Sequence, residues 1–183
     1  MISALLVLAA GAAGAAAAPA PAGGSVVTNA AHSFQLFVPA GFEPTPHPMP
    51  YGESGRTTGG VAMWHLTPNR YLIVMRRDSD TAPLLHKSPA AFEELERGVS
   101  STVKDYEAIH RNVKTFGKVL AVDLWFKHGA ADAKLIMGMR FLIFEGHALY
   151  MGIDVPADSF VARKAEMEKV VESFVPWTPP KPK

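Results

Sequence analysis

The sequence predicts an α+β fold in which an antiparallel sheet is covered on both faces. Three observations lead there. The runs KVLAVDLWFK and AKLIMGMRFLIF alternate along the chain, yet both phases of the alternation are mostly apolar, the pattern of strands that face a core on each side. Two segments repeat their apolar residues every three or four positions, as amphipathic helices do. Hydrophobic residues make up 48% of 183 and charged residues 19%, so the chain is globular and of a size that buries a single core.

The first 24 residues, MISALLVLAAGAAGAAAAPAPAGG, read as a secretory leader with Ala-X-Ala choices for cleavage between Ala16 and Ala22. No Lys or Arg precedes the apolar core, which leaves only the amino terminus to supply positive charge. A membrane anchor needs about 18 to 20 strongly apolar residues, whereas this segment turns to Ala and Gly after Leu8. Removal of the leader is expected, with a periplasmic or secreted product that does not stay inserted in the membrane. The domain is expected over 25–175, followed by a Pro-rich tail at 176–183.

SFQLFVP at 33–39 alternates Phe34, Leu36 and Val38 against Ser33, Gln35 and Phe37, and Pro39 ends this first strand. EPTPHPMPYGESGRTTGG at 43–60 holds four prolines and four glycines without apolar periodicity, so it reads as a long loop, functional or mobile. GVAMWHL and RYLIVMR flank Thr67-Pro68-Asn69 as a hairpin. Ser88-Pro89 starts a helix of about 89–105 that carries Phe92, Leu95, Val99, Val103 and Tyr106 on one face. EAIHRNVKTF and KVLAVDLWFK turn at Gly117, AKLIMGMRFLIF follows, and Glu145-Gly146-His147 returns the chain into ALYMGIDV. Pro156 ends that strand, Asp158 or Ser159 caps the last helix, and Phe160, Met167, Val170, Val171 and Phe174 form its apolar face. Arg163 with Glu166, and Lys164 with Glu168, are expected as ion pairs on its wet side.

The chain contains no cysteine, which removes disulfides, thiolate nucleophiles, Cys-ligated metals and a lipidated cysteine. A net charge of +1 supplies no broad field for nucleic acid. Gly52-Glu53-Ser54-Gly55 is not a nucleophile elbow, which needs G-x-S-x-G between a buried strand and a helix. The seven histidines, His32, His47, His65, His86, His110, His128 and His147, show neither H-x-H nor H-E-x-x-H spacing. No catalytic residue, metal ligand or cofactor is assigned. Trp64, Trp125, Tyr71 and Phe141 read as packing groups, because no basic stripe accompanies them.

Five residues are candidates for binding. Met49, Tyr51 and Arg56 put contact-prone side chains on the long loop. Asp123 and Arg140 interrupt apolar strands, so they either neutralise one another in the covered layer or line a polar cleft. The expected function is that of an exported, non-enzymatic binding or accessory protein acting on a protein or envelope partner. The rival is a small-ligand-binding protein or a hydrolase with a cleft near Asp123 and Arg140.

Several short marks resemble a known family. Phe34, Pro39, Gly41 and Phe42 match F-x-x-x-x-P-x-G-F, Gly146 and Tyr150 match G-x-x-x-Y, and Ser173-Phe174 closes the pattern. With the order of elements over 25–175, these resemble the PsbP-like and Mog-like superfamily, which includes bacterial exported proteins of the DcrB type. The resemblance implies a central antiparallel sheet flanked by helices on both faces, an α/β/α sandwich. It also implies an accessory role, since members include a photosystem extrinsic subunit, a GTPase-binding protein and effector chaperones. They share no catalytic set, so no functional residue carries over.

Overall fold

A computed structural model describes residues 23–67, 70–78, 89–129 and 134–178. The expected leader, the centre of the turn at Pro68 and Asn69, His86, the Ser88 cap and the end of the tail lie outside them. The elements, in chain order, are β1 (Gly24–Asn29), β2 (Phe34–Pro39), β3 (Glu43–Pro44), β4 (Thr58–Thr67), β5 (Arg70–Asp78), α1 (Pro89–Ser100), β6 (Glu107–Phe116), β7 (Val119–His128), β8 (Leu135–Phe144), β9 (His147–Pro156), α2 (Phe160–Ser173) and β10 (Val175–Pro176).

Seven strands form one antiparallel sheet in the order β3-β4-β5-β9-β8-β7-β6. Its alternation sorts side chains into two cores. Leu72, Val74, Ala121, Trp125, Leu142, Leu149, Met151 and Ile153 point to one face, where Met167, Val170 and Val171 of α2 meet them. Met75, Val122, Leu124, Phe126, Met139, Phe141 and Ile143 point to the other, where α1 contributes Val99, Phe92 and Leu95. Each large side chain fully removed from water contributes about 1.5–3 kcal/mol, which is why both phases of β7 and β8 are apolar. Gly138 keeps α2 close to the sheet, because a Cβ there would lie 2.9 Å from the Trp125 ring and 3.0 Å from Val171.

Three expectations about the elements are corrected, and a fourth concerns Arg163. A single sheet was expected, but β2 sits between β1 and β10 in a second, three-stranded antiparallel sheet. This sheet joins the first core through Phe34, Leu36 and Val38, with the Phe34 ring 5.4 Å from that of Phe174. The helix expected over 89–105 stops at Ser100. There the hydroxyls of Ser100, Ser101 and Thr102 donate back to carbonyls of Arg97, Gly98 and Val99, the competition by which a Ser/Thr run ends a helix. Finally, neither Asp158 nor Ser159 caps α2 with its side chain. A 3-10 turn at Ala157–Ser159 leads into the helix instead, and the Ser159 hydroxyl donates to Asp158 Oδ1 at 3.0 Å.

On α2, Lys164 and Glu168 are exposed as expected and lie 3.6 Å apart. Arg163 is not on the wet side. It is 7% exposed, pairs with Glu166 at 3.4 Å, and shares that carboxylate with Arg70, whose nearest approach is 3.7 Å. Among the described residues no helix is long and apolar enough to cross a membrane.

Candidate functional site

The 43–60 loop is strapped to the edge of the large sheet. Its four prolines lack N–H groups, so every backbone donor along the loop comes from the residues between them. β3 pairs Glu43 with His65 and Pro44 with Trp64, and the Thr45 amide donates to Met63 O. Further on, Gly60 N–H donates to Met49 O at 2.8 Å and Tyr51 N–H to Gly60 O at 2.9 Å. The returning arm is held where Asp78 N–H donates to Thr57 O at 2.8 Å.

Beneath the strap lies His47, 8% exposed. Its Nδ1 is 3.0 Å from both the amide and the carbonyl of Met49, and its ring fills the space that a side chain on Gly60 would need. A Cβ at Gly60 would stand 2.0 Å from the imidazole, so only glycine admits this close approach. The loop tip is an exposed 3-10 turn, Glu53–Gly55, with Ser54 at φ 54, and it joins neither a buried strand to a helix nor any other elbow geometry.

The three loop candidates divide between two surfaces. Met49 and Arg56 line a shallow groove of about 370 Å³ with Thr57, Thr58 and Met75. Tyr51 faces the rim of the large sheet. Its hydroxyl donates to Asp78 Oδ2 at 2.5 Å, while Arg76 Nε donates to Asp78 Oδ1 at 2.9 Å and the guanidinium lies 4.8 Å from the centre of the Tyr51 ring. His32, in the turn between β1 and β2, sets its ring edge to Tyr51 at 5.7 Å. Opposite Asp78 in register stands His147, stacked on Phe144 at 4.6 Å with an interplanar angle of 3°.

This half-buried cluster joins the small sheet, the loop and the large sheet. Burial opposes ionisation of Asp78, but the hydrogen bonds from Tyr51 and Arg76 outweigh it and hold the carboxyl below its ordinary value. The same bond to Asp78 raises the Tyr51 phenol. Burial, then the charge of Arg76, lowers both His32 and His147, with Asp78 pulling the other way.

Asp123 and Arg140 stand directly opposite each other on β7 and β8. Arg140 Nε and Nη2 donate to the two carboxylate oxygens at 2.5 and 2.8 Å, and Nη1 donates to Glu172 O at 2.8 Å and Phe174 O at 3.3 Å. At 6% and 1% exposure, the two residues meet one another and the last turn of α2 rather than an open cleft. A cation placed on those final carbonyls also complements the negative end of the helix dipole.

Sequence reasoning found Tyr51 but missed His32, Arg76, Asp78 and His147. One signal was present: Arg76 and Asp78 are two apart on β5 and therefore share a face. The two histidines reach them only through the tertiary fold. Among the described residues no three His, Asp or Glu side chains are grouped to ligate one metal ion.

No family model and no curated protein matches the sequence. Among solved structures, the chain is similar to cyanobacterial PsbP (CyanoP) from Synechocystis sp. PCC 6803, with a TM-score of 0.55 and 13% identity over 91% of this chain and 98% of that one. More distant are PA94, a Pseudomonas aeruginosa protein of unknown function, with a TM-score of 0.47 and 9% identity over 85% and 99% of the two chains, and LpqN, involved in cell envelope biogenesis of Mycobacterium tuberculosis, with a TM-score of 0.47 and 16% identity over 84% and 86%. The first likeness shows a PsbP-like fold.

Proposed function

We propose that the protein is an exported, non-enzymatic accessory protein that binds a protein partner in the cell envelope through the 43–60 loop, with Met49, Tyr51 and Arg56 as contact residues. The observation that carries this reading is the strap itself. Tyr51 is fixed on Arg76 and Asp78, while Met49 and Arg56 wall a separate groove. Tyr, Arg and Met are enriched where proteins meet, and a loop already fastened loses little further freedom on binding. Export rests on the composition of the leader, and the narrower kinship with Mog-like and DcrB-type proteins belongs to the same proposal. So does a sheet with helical cover on both faces, which leaves edges and loops as the surfaces for contact. Asp123 and Arg140 are assigned here to holding the scaffold, so the rival cleft gains no support from the geometry.

Site-specific photocrosslinking in intact cells tests the proposal. A crosslinker at Arg56 is expected to capture one discrete protein, whereas one at Val161, an exposed position on α2, does not. Once that protein is purified, Arg56→Ala and Tyr51→Ala should each weaken its binding about tenfold or more. Identical capture from both positions, or full affinity in both variants, overturns the reading.

A further inference from the structure

We infer that the 43–60 loop is a proton-released strap: uptake of protons by His32, His47 and His147 frees it from the sheet, so that mildly acidic conditions switch the contact surface from fixed to mobile. The biological meaning rests on the reading of the loop as a contact surface, but the strap can be tested without any partner.

The three histidines occupy two of the strap's fastening points. His47 lies beneath it, with Met49 on Nδ1 and, among the described residues, no carboxylate to balance a charge. Its Nε2 is shielded from solvent and has no hydrogen-bond partner among the described residues, so an imidazolium there would bury an unpaired N–H and an unpaired charge. A protonated Nδ1 can donate to Met49 O but can no longer accept from the Met49 amide, so the penalty combines burial with the loss of that acceptor.

At the rim, the groups facing His32 are Tyr51 on the loop, Arg76 and Asp78 on β5, and His147 on β9. Those facing His147 are Arg76, Asp78, His32, the ring of Phe144 and the carbonyl of Glu145. With both rings neutral, the single charges of Arg76 and Asp78 cancel. With both protonated, three cations surround one carboxylate, already bonded to Arg76 and Tyr51. Tyr51 is the loop's side of this cluster, and releasing it lets the rings hydrate and separates the charges.

The direction follows from linkage. All three histidines are lowered from 6.5 in the fastened state, chiefly by burial. Hydrated in the released state, they return toward that value and bind more protons. The strap is therefore held fully above about pH 6.5 and is lost as pH falls through the lowered values, by at most about tenfold per pH unit for each histidine. Asp78 is lowered from 3.8 and contributes only in stronger acid.

Amide hydrogen exchange of the full chain, corrected for the intrinsic pH dependence of exchange, reads this directly. Between pH 7.5 and 5.5 the protection of the Tyr51 and Gly60 amides is expected to fall about tenfold or more, with amides in the centre of β8 and β9 unchanged. His32→Gln with His147→Gln, and separately His47→Asn, should each flatten that dependence. Three outcomes overturn the inference: pH-independent protection in the parent, the parent's slope retained in both variants, or an equal loss in β8 and β9 that marks global unfolding. Failure to find a partner leaves these results untouched, and flat protection leaves a captured partner in place.

Discussion

Asp123 and Arg140 show what a charged residue inside an apolar strand is for. Removing one partner leaves the other charge buried and uncompensated, so Asp123→Ala is expected to cost about 3–5 kcal/mol in urea denaturation, while Asp123→Leu combined with Arg140→Met restores most of it. Asp154 on β9 is the opposite case. Burial, only partly offset by Arg70, raises its carboxyl to about 6, above the ordinary 3.8. The folded state thus favours the protonated acid, and stability is fullest below about pH 3.8 and declines as pH rises through about 6. Asp154→Asn should then stabilise the protein by about 1–2 kcal/mol at pH 7.5 and by almost nothing at pH 4, with the wild-type titration followed by NMR. At this scale the sequence is informative where a polar residue breaks a pattern. Asp123 and Arg140 stood out for that reason, whereas the carbonyls of Glu172 and Phe174 that complete the site carry no side-chain signature.

Among elements, the strands and α2 were the most legible, because burial on one or both faces writes a period of two or of 3.6 into the sequence. The end of α1 was not, since Val103 and Tyr106 keep the helical spacing and still pack on the second core after the helix has ended. The strap was legible as a composition and illegible as a structure. Its prolines announced an irregular segment, but its attachment depends on where Gly60 meets His47, and nothing local records that meeting. Gly60→Ala tests it: the added Cβ would displace His47 and loosen the loop, at an expected cost of about 1–3 kcal/mol in thermal or urea denaturation. Faster tryptic cleavage after Arg56 would report the same loosening locally.

Across the whole molecule, the α+β class with an antiparallel sheet was foreseen and the second sheet was not. β10 is two residues long, too short to show any alternation, and its partner lies more than a hundred residues earlier. Yet it closes a core: Phe174 is fully buried against Phe34, and Trp177 N–H donates to Ser33 O at 2.9 Å. Ending the chain at Ser173 should therefore lower the melting temperature by about 5 °C or more, measured by circular dichroism, since it strips Phe174 from the core as well as β10.

β2 is completed on one side by the strand just before it and on the other by residues near the carboxyl end. During synthesis on a ribosome, or passage through a narrow pore amino end first, that second neighbour follows more than a hundred residues after β2. Any chain that emerges in this order keeps one side of β2 unpaired until β10 has followed.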